Sequence, residues 1–201
     1  MEFPSLAVMV ILFIIGNKKT DIVSIIFLII WTSHYFHRTI IFPFKMKGGN
    51  KKFPALILFF ALIFNLINSY LNGRYLFYFS ASHNSSWLTD IRFIAGFIIF
   101  LTGMIVNISS DYILLKLRKS GETGYMIPYG GVFKLVSSPN YLGEILEWTG
   151  WAILTWSLPG LSFALFTIAN LAPRASANHL WYKQEFPDYP KERKALIPFI
   201  F

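Results

Sequence analysis

Five apolar stretches of this chain carry no charged residue at all: 3–17, 22–37, 53–73, 93–110 and 148–173. A membrane-crossing helix needs about 20 mostly apolar residues, within a range of roughly 17–25. Residues 53–73 meet that requirement alone, 93–110 meet it at the low end, 148–173 exceed it, and 3–17 fall short. Composition agrees with the pattern. The chain is 55% hydrophobic and 14% charged, whereas soluble domains run at about 25% charged. Such a composition excludes an ordinary soluble globule, and it excludes disorder, which needs low hydrophobicity and high net charge.

The 201 residues fit one domain of several membrane passes. With no cysteine, disulfides, thiolate metal sites and cysteine nucleophiles are excluded. The long final run contains Leu158-Pro159-Gly160, a turn signal that divides it into two helices. Helices are expected near 3–16, 22–42, 53–73, 91–115, 140–158 and 160–182, the last kinked or bent at Pro173. The fold class is all-α, a multi-pass membrane helix bundle forming a single domain over 1–201.

The 18 basic residues outnumber the 10 acidic ones. In a soluble protein that excess would suggest nucleic acid; here it reports orientation, and no nucleic-acid partner is expected. If the segment at 43–52 is cytoplasmic, alternation places 111–139 and the C-terminal tail inside as well. Only Lys18, Lys19, Arg74 and Arg92 then lie at the opposite ends. One register alone satisfies the positive-inside rule. It puts Asn84-Ser85-Ser86 in an outer loop, where this sequon could carry a glycan in a eukaryote.

An ionisable group inside a membrane helix costs roughly 2.5–3.5 kcal/mol at the bilayer centre, so such groups mark function or buried pairing. Asn140, Glu144 and Glu147 are spaced i, i+4, i+7 and share one helix face. Asn107 and Asp111 are spaced i, i+4, and Arg174, Asn178 and Tyr182 repeat that spacing, with His179 beside them. Tyr35, His37 and Arg38 end the second helix. All fall in the cytoplasmic half of their helices. Interfacial anchoring accounts for Tyr, Trp, Arg and Asn at such depths, but it does not account for Glu144 and Glu147. The set reads as a polar pocket open to the cytoplasm over an apolar chamber, suited to an anionic, water-soluble cofactor and a lipid-soluble substrate.

Missing motifs narrow the chemistry. There is no G-x-G-x-x-G after a strand, no P-loop and no serine in a nucleophile elbow. His34-x-x-His37 has only His83 and His179 as further histidines, and no metal site is expected.

Several motifs are similar to those of the steroid 5α-reductase family, the 3-oxo-5α-steroid 4-dehydrogenases. They are His34-Tyr-Phe-His-Arg-Thr39, Thr89-Asp-Ile-Arg92, Asn107 through Asp111-Tyr-Ile-Leu114, and Leu117-Arg-Lys119. Tyr125-x-Ile-Pro128 with Gly130-Gly131 and Asn140-Tyr-Leu-Gly-Glu-Ile-Leu-Glu-Trp148 follow. The tail Asp188-Tyr-Pro-Lys-x-Arg-Lys-Ala-Leu-Ile-Pro-Phe-Ile-Phe201 completes the match. The resemblance covers essentially the whole chain and is densest from Asn107 onward.

The resemblance implies seven membrane helices with a cytosolic C-terminus and reduction of a conjugated enone by NADPH. It implies that Tyr35 is the catalytic tyrosine hydrogen-bonding a 3-oxo group and that Glu2 is its paired glutamate. It implies cofactor contacts at Asn107, Asp111, Arg118, Asn140, Glu144, Arg174, Asn178 and Tyr182, and His179 joins them by its place in the polar set. Asn178 stands where vertebrate members carry histidine. Because the family has a further helix ahead of the matching glutamate and this chain starts at Met1-Glu2, six helices of seven are expected here.

The leading expectation is an NADPH-dependent reduction of Δ4-3-oxo steroids to 5α-dihydro steroids. A polyprenol or trans-2-enoyl-CoA reductase of the same superfamily is the nearest alternative, and an S-adenosylmethionine-dependent membrane methyltransferase the next. The expected partners are a lipophilic steroid and membrane lipid, and the chain is expected to act as a monomer. The membrane is endoplasmic reticulum in a eukaryote and inner membrane in a bacterium.

Overall fold

The computed structural model describes residues 2–45, 54–81, 83–117 and 125–201. Among them are six helices: α1 (Phe3–Ile15), α2 (Ile22–Lys45), α3 (Ala55–Phe79), α4 (Ile91–Leu117), α5 (Pro139–Thr155) and α6 (Leu158–Glu185). All six sit where the apolar runs predicted them. By length and composition α2, α3 and α4 suffice to cross a membrane, while α1 is a shorter apolar helix. Two π-helical turns lie inside the longer helices, at His37–Ile41 in α2 and Tyr75–Phe79 in α3.

Local signals explain the helix boundaries. The Asp21 carboxylate caps α2, accepting from Val23 N at 3.0 Å and Ser24 Oγ at 2.9 Å. The break between α5 and α6 falls earlier than the Leu158-Pro159-Gly160 signal suggested. α5 ends at Thr155, Trp156 takes a left-handed conformation (φ 45°), and Ser157 Oγ accepts from Gly160 N at 3.1 Å. Leu158-Pro159-Gly160 is instead the first turn of α6. Proline fits there because its missing N–H is one that a first turn leaves unbonded anyway. The helix then continues as one element through Pro173.

The chain divides into two compact units, Met1–Ile94 and Ala95–Phe201, with the boundary inside α4. In the first unit, α3 is inside out relative to a soluble helix. Its buried residues include Asn65, Asn68, Ser69, Asn72 and Gly73, while Leu56, Ile57, Phe59 and Phe60 are each more than half exposed. Apolar side chains facing lipid gain nothing by turning inward, so small and polar residues take the helix contacts. Ser5 Oγ on α1 donates to Asn65 Oδ1 at 2.7 Å, and Ser5 O accepts from Trp31 Nε1 of α2 at 3.2 Å. Asn72 Nδ2 donates to Asn68 Oδ1 at 3.1 Å. At Gly73 an added Cβ would lie 2.9 Å from Leu12 Cδ1, so the glycine lets α1 and α3 meet closely.

The connections of this unit are built from charge and rings. Lys18 Nζ donates to Ser80 O and Oγ, joining the α1–α2 turn to the end of α3. His83 lies edge-on to Phe27 at 5.5 Å and beside Trp87 at 5.1 Å. The Arg92 guanidinium covers Trp87 and grips Asp90, holding that carboxyl down at about 2.

In the second unit α4 and α5 pack through four glycines. A Cβ on Gly103 would lie 2.6 Å from the Gly143 carbonyl oxygen, and one on Gly96 2.7 Å from that of Gly150. The seven-residue spacing on both helices keeps the pairs in register, the small-residue device of membrane helix contacts. Trp148, Trp151, Leu154 and Phe100 fill the core around this contact. Trp148 packs on Phe163 of α6 at 4.2 Å. The tail folds back on the segment before α5. Val136 and Lys194 form a parallel bridge, Ser137 N donates to Lys194 O, and Ser138 N to Ala195 O.

Candidate functional site

The site residues expected from the sequence fall in both units. Glu2 and Tyr35 belong to the first. Tyr35 lies in the last turn of α2 before the π-helical segment and is 2% exposed. Its ring meets the His34 imidazole edge-on at 4.9 Å and Trp31 at 5.1 Å, so packing on two sides sets its direction. Its carbonyl accepts from Thr39 Oγ1 at 2.6 Å across the start of the π turn. Glu2 precedes α1, and its Oε2 lies 3.3 Å from Arg38 Nε. Arg38 is three residues beyond Tyr35 and also covers the Phe42 ring at 5.2 Å. A carboxylate and a guanidinium therefore meet one helical turn past a buried tyrosine.

The second unit brings together three of the expected cofactor residues. Asn107 Nδ2 donates to Asn140 O at 2.9 Å, and Asn140 Nδ2 donates to Asp111 Oδ1 at 3.3 Å. Asn107 and Asp111 are almost fully buried, and Glu144 stands half-buried one turn beyond Asn140. Sequence spacing placed Asn107 with Asp111 on α4; the glycine contact is what sets Asn140 of α5 against them. This cluster offers amide donors and carboxylate acceptors, the groups that hold ribose hydroxyls or a carboxamide.

A cavity of about 400 Å³ is lined by Leu114, Leu117, Tyr125, Met126, Asn178, Trp181 and Tyr182. Small-molecule sites start at about 300 Å³. Tyr125 meets Trp181 edge-on at 4.9 Å, and Tyr182 stacks on Tyr189 at 5.3 Å with an interplanar angle of 13°. Rings beside an amide suit a planar heteroaromatic base, the kind of group that a nucleotide cofactor carries. Arg174 is exposed on α6 and open to a phosphate. Arg118 lies outside the described residues.

His179 is hydrogen-bonded to the loop before α5. Its Nδ1 is 2.6 Å from Ser137 Oγ, which is also 2.6 Å from Tyr189 OH and donates to Lys194 O at 3.1 Å. Asn178 Nδ2 reaches Ser138 Oγ at 3.5 Å while also lining the cavity. These bonds fasten the tail to α6 and to the start of α5. Arg193 adds to the fastening. It is 3% exposed, with its guanidinium 4.9 Å from the Tyr129 ring and 5.3 Å from Tyr189. Ser137, Tyr189 and Arg193 were invisible to helix-face reasoning because they lie in loops. On α3 the spacing of Asn65, Asn68 and Asn72 did signal one polar face, which charge-counting alone passes over.

Comparison with known proteins brings in independent findings. The profile of the family described as "3-oxo-5-alpha-steroid 4-dehydrogenase" matches residues 51–201. A protein named steroid 5-alpha-reductase DET2 from Solanum lycopersicum is 46% identical over 100% of this chain and 79% of its own length. The Arabidopsis thaliana protein of that name is 42% identical over 100% of this chain and 79% of its own. The protein named 3-oxo-5-alpha-steroid 4-dehydrogenase 1 from Homo sapiens is 49% identical over 88% of this chain and 67% of its own.

Proposed function

Since this chain belongs to the 3-oxo-5-alpha-steroid 4-dehydrogenase family, we propose that it reduces the Δ4 double bond of 3-oxo steroids to the 5α-dihydro product, with NADPH as reductant. The observation carrying this reading is Tyr35, buried and braced between His34 and Trp31 inside an apolar helix. In Δ4-3-oxo steroids the 3-oxo group is conjugated with the double bond, so adding hydride to the β-carbon drives electrons onto the carbonyl oxygen. A phenolic O–H directed at that oxygen stabilises the enolate as it forms. Packing in advance spares the reaction the cost of orienting the group.

Glu2 orients the tyrosine or relays its proton, and Arg38 restrains the Glu2 carboxylate. Protonation at the α-carbon completes the reduction. NADPH supplies the hydride when bound. Asn107, Asp111, Asn140 and Glu144 would hold its amide and hydroxyl groups, while Tyr182 and Asn178 line the space for a base. Arg118 and Arg174 supply the cations for its phosphates. The apolar helices suit a rigid sterol skeleton delivered from the bilayer, with the polar helix ends and the C-terminus on the cytoplasmic side.

The full chain in lipid, given NADPH and a Δ4-3-oxo steroid, should release the 5α-dihydro steroid. Tyr35→Phe should abolish turnover and leave NADPH affinity unchanged. Stabilisation by S-adenosylmethionine and not by NADPH, with no turnover of any enone lipid, would overturn the proposal.

A further inference from the structure

The chain ends in Leu196-Ile-Pro-Phe-Ile-Phe201, which folds into a closed hook. Leu196 N donates to Phe201 O at 2.7 Å, Phe201 N to Ile197 O at 3.0 Å, and Ile200 N to Ile197 O at 3.2 Å. Phe199 sits at φ 66°, a left-handed conformation uncommon for a bulky residue. The result is an inverted distribution of side chains. Ala195 and Leu196 are buried and hold the hook to its unit, whereas Phe199 is 81% and Ile200 77% exposed, with Ile197 and Phe201 over 40%. A tail facing water would gain free energy by turning those rings inward. The backbone bonds hold them outward.

Two observations say what covers the hook. It is bonded through Lys194 and Ala195 to the segment Leu135–Ser138, which leads directly into α5, so it adjoins the end of a helix already in the bundle. Its border is net basic: Lys134, Lys191 and Glu192 are exposed, and Lys194 is half-buried. Exposed apolar residues beside a net-basic border are the composition of a surface seated at the headgroup boundary of an anionic leaflet. We propose that the hook is an interfacial membrane anchor, with Phe199 and Ile200 inserted into the lipid and the lysines at the phosphates. The tail carrying Tyr189 and Arg193 would thereby be tied to the bilayer as well as to Ser137. This anchor depends on the chain lying in a membrane and not on the reaction assigned to it.

The absence of cysteine makes the test direct. An environment-sensitive thiol-reactive fluorophore is attached to Ile200→Cys in the full chain, reconstituted into phosphatidylcholine–phosphatidylserine vesicles. Quenching by a spin label carried on lipid should exceed quenching by aqueous iodide several-fold. The same probe on Asp188→Cys, exposed in the polar part of the tail, should show the reverse order. Iodide quenching at position 200 equal to that at 188 would overturn the proposal. Protection from both quenchers would overturn it too, since a protein surface would then cover the hook. If Ile200→Cys does not fold, Phe199→Cys makes the same measurement.

Discussion

Ser137 Oγ lies 2.6 Å from His179 Nδ1, a contact between residues 42 apart in sequence. The same hydroxyl holds Tyr189 and the Lys194 carbonyl, so one serine joins α6, the tail and the approach to α5. Ser137→Ala would leave His179 and Tyr189 without that partner. A buried polar group so stranded costs about 1–3 kcal/mol. Hydrogen exchange should show residues 186–196 losing protection, with the helix interiors of α4 and α5 unchanged; uniform loss would mean the serine stabilises the whole unit.

Gly103 sets the spacing between α4 and α5. An alanine there would put its Cβ 2.6 Å from Gly143 O and 2.9 Å from Glu147 Cα, both backbone atoms that cannot swing aside. Overpacking of this kind costs typically 1–3 kcal/mol. Gly103→Ala should lower the thermal midpoint in detergent and weaken cofactor binding, because Asn107 and Asn140 separate with the helices. An unchanged midpoint would refute the close contact.

The asparagines of α3 should respond in opposite directions. Asn65→Leu removes the side-chain acceptor of Ser5 Oγ and leaves it the longer contact to the Asn65 carbonyl at 3.3 Å, at a cost of about 0.6 kcal/mol, the mean for such membrane contacts. Asn68 Nδ2 is buried with no hydrogen-bond partner among the described residues. Asn68→Leu removes that unsatisfied donor; Asn72 Nδ2 loses Asn68 Oδ1 but keeps the Asn68 backbone carbonyl at 3.1 Å, so the change should be neutral or stabilising. Steric-trap or denaturant unfolding of the two variants side by side decides it.

His83 predicts a pH dependence. Burial keeps its imidazole below the ordinary 6.5, Lys18 adds to that, and Asp21 opposes it. The unfolded chain therefore binds the proton more readily, and stability falls as pH drops through 6.5 towards the lower folded value. His83→Phe should reduce the slope of the thermal midpoint between pH 7 and about 5. An equal slope in both proteins would assign the dependence to another group.

Helix-level organisation was legible because membrane helices announce themselves by length and absence of charge. The polar spacings on α4, α5 and α6 located residues that do meet, Asn107, Asp111 and Asn140 among them. Reading failed where geometry is local and irregular. The π turns after Phe36 and Arg74 leave no periodic signature. The helix break moved from Pro159 to Trp156, because proline serves to start a helix as readily as to end one.

Sequence alone located the six helices that the described residues form, with most of their ends correct to within a few residues. These follow from hydropathy and charge, which act residue by residue. Only the tertiary structure decided the partnerships: Ser5 with Asn65 across 60 residues, Ser137 with Tyr189 across 52, and Gly103 against Gly143. Such contacts arise from how packed helices rotate against one another, and no single segment contains that information. His179 shows the difference: sequence placed it beside Asn178 on α6, and only the folded chain gave it Ser137 as a hydrogen-bond partner.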